Sequence, residues 1–115
     1  MRPEELYLVD IVEAADAIAR FVAGRQAVDF LKDELRQSAV LQKLTLIGEA
    51  AARLPEAIQN RYPDIEWYAI VGFRNIAIHE YFNVNWEIVW TTAIQDVPLL
   101  RQQVAAILAR DYGRE

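Results

Sequence analysis

The residue types best equipped for chemistry stand together in one stretch, Arg74-Asn75-Ile76-Ala77-Ile78-His79-Glu80-Tyr81. On a helix turning about 100° per residue, Asn75 and His79 fall about 40° apart on one stripe, and Arg74 and Tyr81 about 20° apart on another. Arg74 and His79 then diverge by about 140°. Stripes that far apart flank one cleft only if something packs between them. A second copy of the same helix is the simplest candidate, and a two-fold axis would bring two such clusters together. Imidazole titrates near neutrality, and a guanidinium grips phosphate in a fork. The combination suits metal-free cleavage of RNA, in which a base removes the 2′-hydroxyl proton while a cation offsets charge growing on the phosphate. The leaving 5′-oxygen also needs an acid, and the chain holds a single histidine. A homodimer would supply the second imidazole. Asn75, one turn before His79, could orient the ring or hold a phosphate oxygen; Glu80 reads as a solvated neighbour.

A structural account stands beside this one. A lone histidine on an apolar helix commonly serves as a hydrogen-bonded core residue. Arg74 could pair with a carboxylate such as Asp10 or Asp33, and Tyr81 could pack as an ordinary core aromatic.

The elements that must position these residues follow from periodicity. Leu8, Ile11, Ala15, Ile18 and Val22 step by 3 and 4, which predicts helix A from Pro3 to Gly24. Pro3, Glu4 and Glu5 favour its start, and Gly24 its stop. Val40, Leu44, Ile47, Ala51 and Leu54 predict helix B, with Phe30 to Leu35 leading into it and Pro55 ending it or opening a short turn. Gly48, costly inside a helix, marks the close approach of another one. Helix C is expected from Ile65 to about Phe82, capped by Asp64. Its apolar residues cover more than one face, which makes it the expected centre of the fold and its most buried helix. Asn85 caps helix D, whose stripe runs from Trp86 to Ile107 and whose Pro98 predicts a kink near Ile94 to Val97; Gly113 ends it. No stretch alternates with period two. The expected fold is an all-α, antiparallel four-helix bundle, with room for a short extra helix, in one domain over residues 1–115. Helices A and B, and C and D, would be antiparallel neighbours.

Composition narrows the function classes. With 115 residues there is room for one compact domain. Hydrophobic residues make up 54% of the chain, and three Trp, five Tyr and four Phe exceed what a core this small absorbs, so self-association is expected. Cysteine is absent, which excludes disulfides, cysteine-based metal sites and a thiol nucleophile. No cofactor and no metal are expected. A net charge of -5 argues against wrapping long nucleic acid but permits a local contact with RNA. The Met-Arg-Pro-Glu-Glu start carries no apolar leader, and no apolar run is long enough to span a membrane, so a cytoplasmic location is expected.

The spacing Arg74, four residues, His79, then Tyr81 resembles the motif of the HepT-like toxin family in the HEPN superfamily. The similarity extends to Ile47-Gly48-Glu49-Ala50, Pro63 through Trp67, Gly72-Phe73-Arg74-Asn75, Asn83-Val84-Asn85-Trp86 and Pro98-Leu99-Leu100. The resemblance implies an all-α domain that dimerises with its Arg-x4-His motifs facing one another. It implies a metal-independent endoribonuclease acting on tRNA or mRNA, with Arg74 and His79 catalytic. It further implies a small nucleotidyltransferase antitoxin as partner, which transfers AMP onto Tyr81. Added phosphate close to Arg74 would compete with RNA for the cation. The alternative within the same resemblance is a non-catalytic helical dimer that only binds the nucleotidyltransferase or accepts AMP from it.

Overall fold

The structure, a computed structural model, describes residues 2–76 and 83–114. It is all-α, and no strand occurs among the described residues. The first helix, α1, spans Pro3–Val22 as the periodicity predicts, with Pro3 in its first turn and Glu4 and Glu5 beside the N-terminal dipole. Gly24 follows at φ 71°, a left-handed turn that glycine makes without a Cβ penalty.

Helix B divides. Ala27–Phe30 forms a separate short helix, α2, closed by the backbone N–H of Gln26 donating to Asp29 Oδ2 at 3.0 Å. Asp33 then caps α3, Glu34–Ala52, by accepting from the Arg36 N–H at 3.1 Å. Buried Gln37 donates to the Phe30 carbonyl at 3.0 Å and locks α2 onto α3. Pro55 opens another short helix, α4, Glu56–Arg61. The room left for a short extra helix is therefore filled twice.

Helix C departs most from expectation. Asp64 is not its cap: Ile65 N–H donates to the Tyr62 carbonyl and the Trp67 indole to the same oxygen at 3.0 Å, so residues 62–66 are spent on a turn. The helix α5 begins only at Trp67, runs to Gly72 and tightens into a 3-10 turn, Phe73–Asn75. Nor is the described part of helix C the most buried element. Trp67 and Ile70 are buried, but Tyr68 is 95% exposed. The centre is α3 instead, which packs against α1, α5 and the 3-10 turn. In the described part of helix C the apolar residues on more than one face are thus only partly buried.

Helix D is capped as expected by Asn85, whose Oδ1 accepts from the Glu87 and Ile88 N–H groups, both at 3.1 Å. It runs as α6, Trp86–Thr91, then a π-helical segment Thr92–Asp96, then α7, Val97–Tyr112. The predicted kink is this π segment. Pro98 has no N–H for the carbonyl of Ile94 and its ring crowds that oxygen, so the chain widens before the proline and restarts after it.

Helices A and B are close partners, as expected; of the expected C and D pair, only residues 65–76 of helix C lie among the described residues. α5 packs chiefly on α3 and α7 on α1, with a groove lined by Ile70, Phe73, Leu99 and Leu100 between α5 and α7. Leu8, Ile11, Ile18, Val40, Leu44, Ile47, Val104 and Ile107 form the innermost layer. Each such side chain contributes about 1.5–3 kcal/mol of transfer free energy. Phe30 closes one end against Trp90, ring centroids 5.3 Å apart. Ion pairs pin α7 to the rest: Arg101 to Asp16 at 3.0 Å, Arg61 of α4 to Asp111 at 3.1 Å, and Arg114 to Glu5. Among the described residues no helix is long and apolar enough to cross a membrane.

Candidate active site around Arg74

Arg74 is held by its backbone. A Cβ placed on Gly48 would lie 2.5 Å from the Arg74 nitrogen, 3.1 Å from the Arg74 Cβ and 3.1 Å from the Ile70 carbonyl oxygen. The close approach read from Gly48 is therefore real, and what approaches is the main chain that carries the arginine. Contact at this range needs a residue without a side chain, because packed carbons prefer about 3.5–4.0 Å. The seat lies on α3, which packs against α1, α5 and the 3-10 turn.

The 3-10 turn steps about 120° per residue rather than about 100°, so Arg74 and Asn75 leave the backbone in well-separated directions. Arg74 is half-buried and Asn75 exposed. Neither carboxylate named as a structural partner holds the guanidinium. Asp33 is occupied at the start of α3, capping the helix and pairing with Arg36 at 3.2 Å, and Asp10 forms no ion pair with Arg74. Among the described residues Arg74 has no ion-pair partner, so its fork is available for an anion. His79, Glu80 and Tyr81 lie outside the described residues, as does any juxtaposition of two copies. No group of His, Asp or Glu side chains among the described residues is arranged to hold a metal.

Beside the Gly48 seat runs a groove of about 590 Å³ between α1 and α3. Tyr7 and Asp10 line it from α1; Ser38, Leu41, Gln42, Thr45, Leu46, Glu49 and Ala50 line it from α3, and Arg53 from the residue that closes α3. The sequence analysis missed this wall. Its signal was present: five polar residues spaced 4, 3, 4 and 4 along a helix otherwise read only for its apolar stripe.

The described residues thus form a small all-α domain in which the main chain of Arg74 sits against Gly48 and the guanidinium has no ion-pair partner among those residues. The family described as "Ribonuclease HepT-like" matches residues 11–107. The chain is 36% identical over 100 residues to the "Probable ribonuclease HepT" of Thermococcus cleftensis, covering 87% of this chain and 91% of that one. It is 40% identical over 109 residues to a "Putative RNase" of Methanocaldococcus jannaschii, 95% of this chain and 90% of the other. A protein of that same name from Caldanaerobacter subterraneus subsp. tengcongensis is 34% identical over 111 residues, 96% of this chain and 99% of its own. No solved structure matches the chain. The chain belongs to the HepT-like ribonuclease family and, with that membership, is a ribonuclease whose substrate is RNA.

Proposed function

We propose that this ribonuclease is the toxin of a toxin–antitoxin pair: a cytoplasmic endonuclease that cuts tRNA or mRNA as a homodimer, without a metal. In the reaction, the His79 imidazole takes the proton of the 2′-hydroxyl, and the 2′-oxygen forms a bond to phosphorus. The bond from phosphorus to the 5′-oxygen breaks, and the imidazole of the second copy protonates the leaving oxygen. The products are a 2′,3′-cyclic phosphate and a 5′-hydroxyl, so no water and no metal-bound hydroxide enters the step. Arg74 binds the phosphate and offsets the charge that builds on its oxygens. Asn75 orients an imidazole or holds a phosphate oxygen. A cognate nucleotidyltransferase antitoxin silences the enzyme by moving AMP from ATP onto the Tyr81 hydroxyl, with pyrophosphate leaving; the new phosphate then competes for Arg74.

The observation that carries this reading is the seat of Arg74: a main-chain position fixed against Gly48, with a guanidinium that has no ion-pair partner among the described residues. Arginine placed at such structural expense is best explained by an anionic ligand.

The test is RNA cleavage by purified protein in EDTA, with 5′-hydroxyl ends scored. His79→Ala is expected to lose about 10²–10⁴-fold, the usual worth of a general base. Arg74→Ala is expected to lose about 10²–10³-fold. Retained cleavage in His79→Ala, or full loss in EDTA, refutes the mechanism. With the antitoxin and ATP present, intact mass should rise by whole AMP units in the parent but not in Tyr81→Phe; equal gain in both refutes the modification site.

A further inference from the structure

We infer that the groove between α1 and α3 is a base-specific subsite that takes a guanine of the RNA flanking the scissile phosphate; this rests on the ribonuclease reading of Arg74 above. Gly48, which carries Arg74, and Glu49 are adjacent, so the carboxylate of Glu49 leaves α3 only about 100° around the helix from the arginine's seat. A strand held by its phosphate at Arg74 would have to continue about a quarter-turn around α3 for one of its bases to enter the groove.

The charge of the groove decides which part of the strand enters. Two carboxylates, Asp10 and Glu49, line it against one guanidinium, Arg53. A phosphate would be repelled, whereas an uncharged base that donates hydrogen bonds would be attracted. Its volume of about 590 Å³ is that of a small-molecule site, and Tyr7 supplies an aromatic face of the kind on which unstacked bases rest.

The identity of the base follows from Glu49 and Arg53. They stand at i and i+4, Glu49 in the last turn of α3 and Arg53 at its C-terminal cap, the spacing at which glutamate and arginine usually pair, yet no ion pair joins them. A carboxylate, which only accepts, and a guanidinium, which only donates, are thus presented side by side. The Watson–Crick edge of guanine has the complementary order, with an O6 acceptor beside the N1–H and N2–H donors. Glu49 can accept from both donors while Arg53 donates to O6. Adenine and cytosine each set an acceptor nitrogen against the carboxylate, and uracil flanks its one N–H with two carbonyls. Each of these leaves a repulsive contact with Glu49.

The experiment uses single-stranded oligonucleotides of fixed sequence that differ at one position, G, A, C or U, cleaved by the full-length protein. The parent should cut beside G about 10- to 100-fold faster than beside A, the discrimination of one good bidentate pair. Glu49→Gln, which cannot accept from both donors, should bring that ratio close to one. Arg53→Met should lower it by a smaller factor. Glu56→Gln, on α4 and outside the groove, should leave it unchanged. A parent without preference for G, or a Glu49→Gln protein that keeps it, overturns the inference while leaving the ribonuclease reading intact. A Glu49→Gln protein whose sedimentation shows it has dissociated also overturns it, because the groove is then an interface between copies. If no oligonucleotide is cut, the ribonuclease mechanism fails first, and binding of 2′-O-methyl ApGpA against ApApA decides the groove alone: tighter G binding lost in Glu49→Gln supports it, and equal binding refutes it.

Discussion

The Gly48 contact predicts that two identical substitutions have opposite signs. In Gly48→Ala the new methyl carbon would lie 2.5 Å from the Arg74 nitrogen and 3.1 Å from the Ile70 oxygen, both main-chain atoms of the facing segment. Restoring an ordinary contact of about 3.5 Å requires a separation of about 1 Å between α3 and the 3-10 turn. Overpacking of this kind costs about 1–3 kcal/mol. Alanine recovers about 1 kcal/mol of helix propensity, so the net loss is about 0–2 kcal/mol. Gly72→Ala is the control, since among the described residues nothing lies within 4 Å of a Cβ there and its backbone is helical, with φ -60°. It should be neutral or stabilising by up to about 1 kcal/mol. Urea unfolding followed by far-UV circular dichroism measures both, and a shift in melting temperature of about 4 °C per kcal/mol is expected for a chain of this size. The shift should also reach function. An arginine displaced by about 1 Å from its phosphate can lose about 10²-fold in rate, while Gly72→Ala should keep parental cleavage. If Gly48→Ala is as stable and as active as Gly72→Ala, the glycine does not seat the arginine, and the argument from Gly48 to Arg74 falls.

Other outcomes can be measured on the same proteins. Asn85→Ala removes the side-chain acceptor for two N–H groups at the start of α6 and should cost about 1 kcal/mol in the same urea titration, with Asn85→Asp restoring most of it. The Tyr62 hydroxyl donates to Asp111 Oδ2 at 2.6 Å and Arg61 to the same oxygen at 3.1 Å. The tyrosine's hydrogen bond, then Arg61, hold the Asp111 carboxyl below its usual range, and that same bond, then burial, raises the Tyr62 phenol. A lowered carboxyl stabilises the fold above its unfolded value near 4, and this is lost as pH falls through the folded value; a raised phenol stabilises below about 10 and is lost as pH rises through its folded value. Tyr62→Phe should therefore lose under about 1 kcal/mol near neutrality and flatten the stability profile at both ends. A parental profile in Tyr62→Phe would contradict the pairing.

The elements that the sequence made legible are those whose signals are local. Alternating steps of 3 and 4 located α1, α3 and α7; Asn85 and Pro98 located the start of helix D and its break, because a cap and a missing N–H act on their own neighbours. What misled was tertiary. The apolar run of helix C suggested a helix starting at Ile65, but the Tyr62 carbonyl takes both the Ile65 N–H and the Trp67 indole, delaying the start to Trp67, and residues 73–75 form a 3-10 turn over Gly48. None of these three interactions leaves a periodic trace. Asp10 and Asp33 looked equally able to hold Arg74 until the structure showed Asp33 occupied as the cap of α3.

Gly48 joins the two levels. A glycine in the middle of a helix is disfavoured by about 1 kcal/mol, so its presence in sequence alone signals that something must come close. The structure identifies the visitor as the backbone of Arg74, a residue singled out independently for its ability to bind phosphate. The two inferences used different physics, backbone entropy in one case and charge in the other, and they meet on one contact. That convergence favours a site built around Arg74 over a bundle that merely tolerates an arginine, since a surface arginine needs no glycine beneath it.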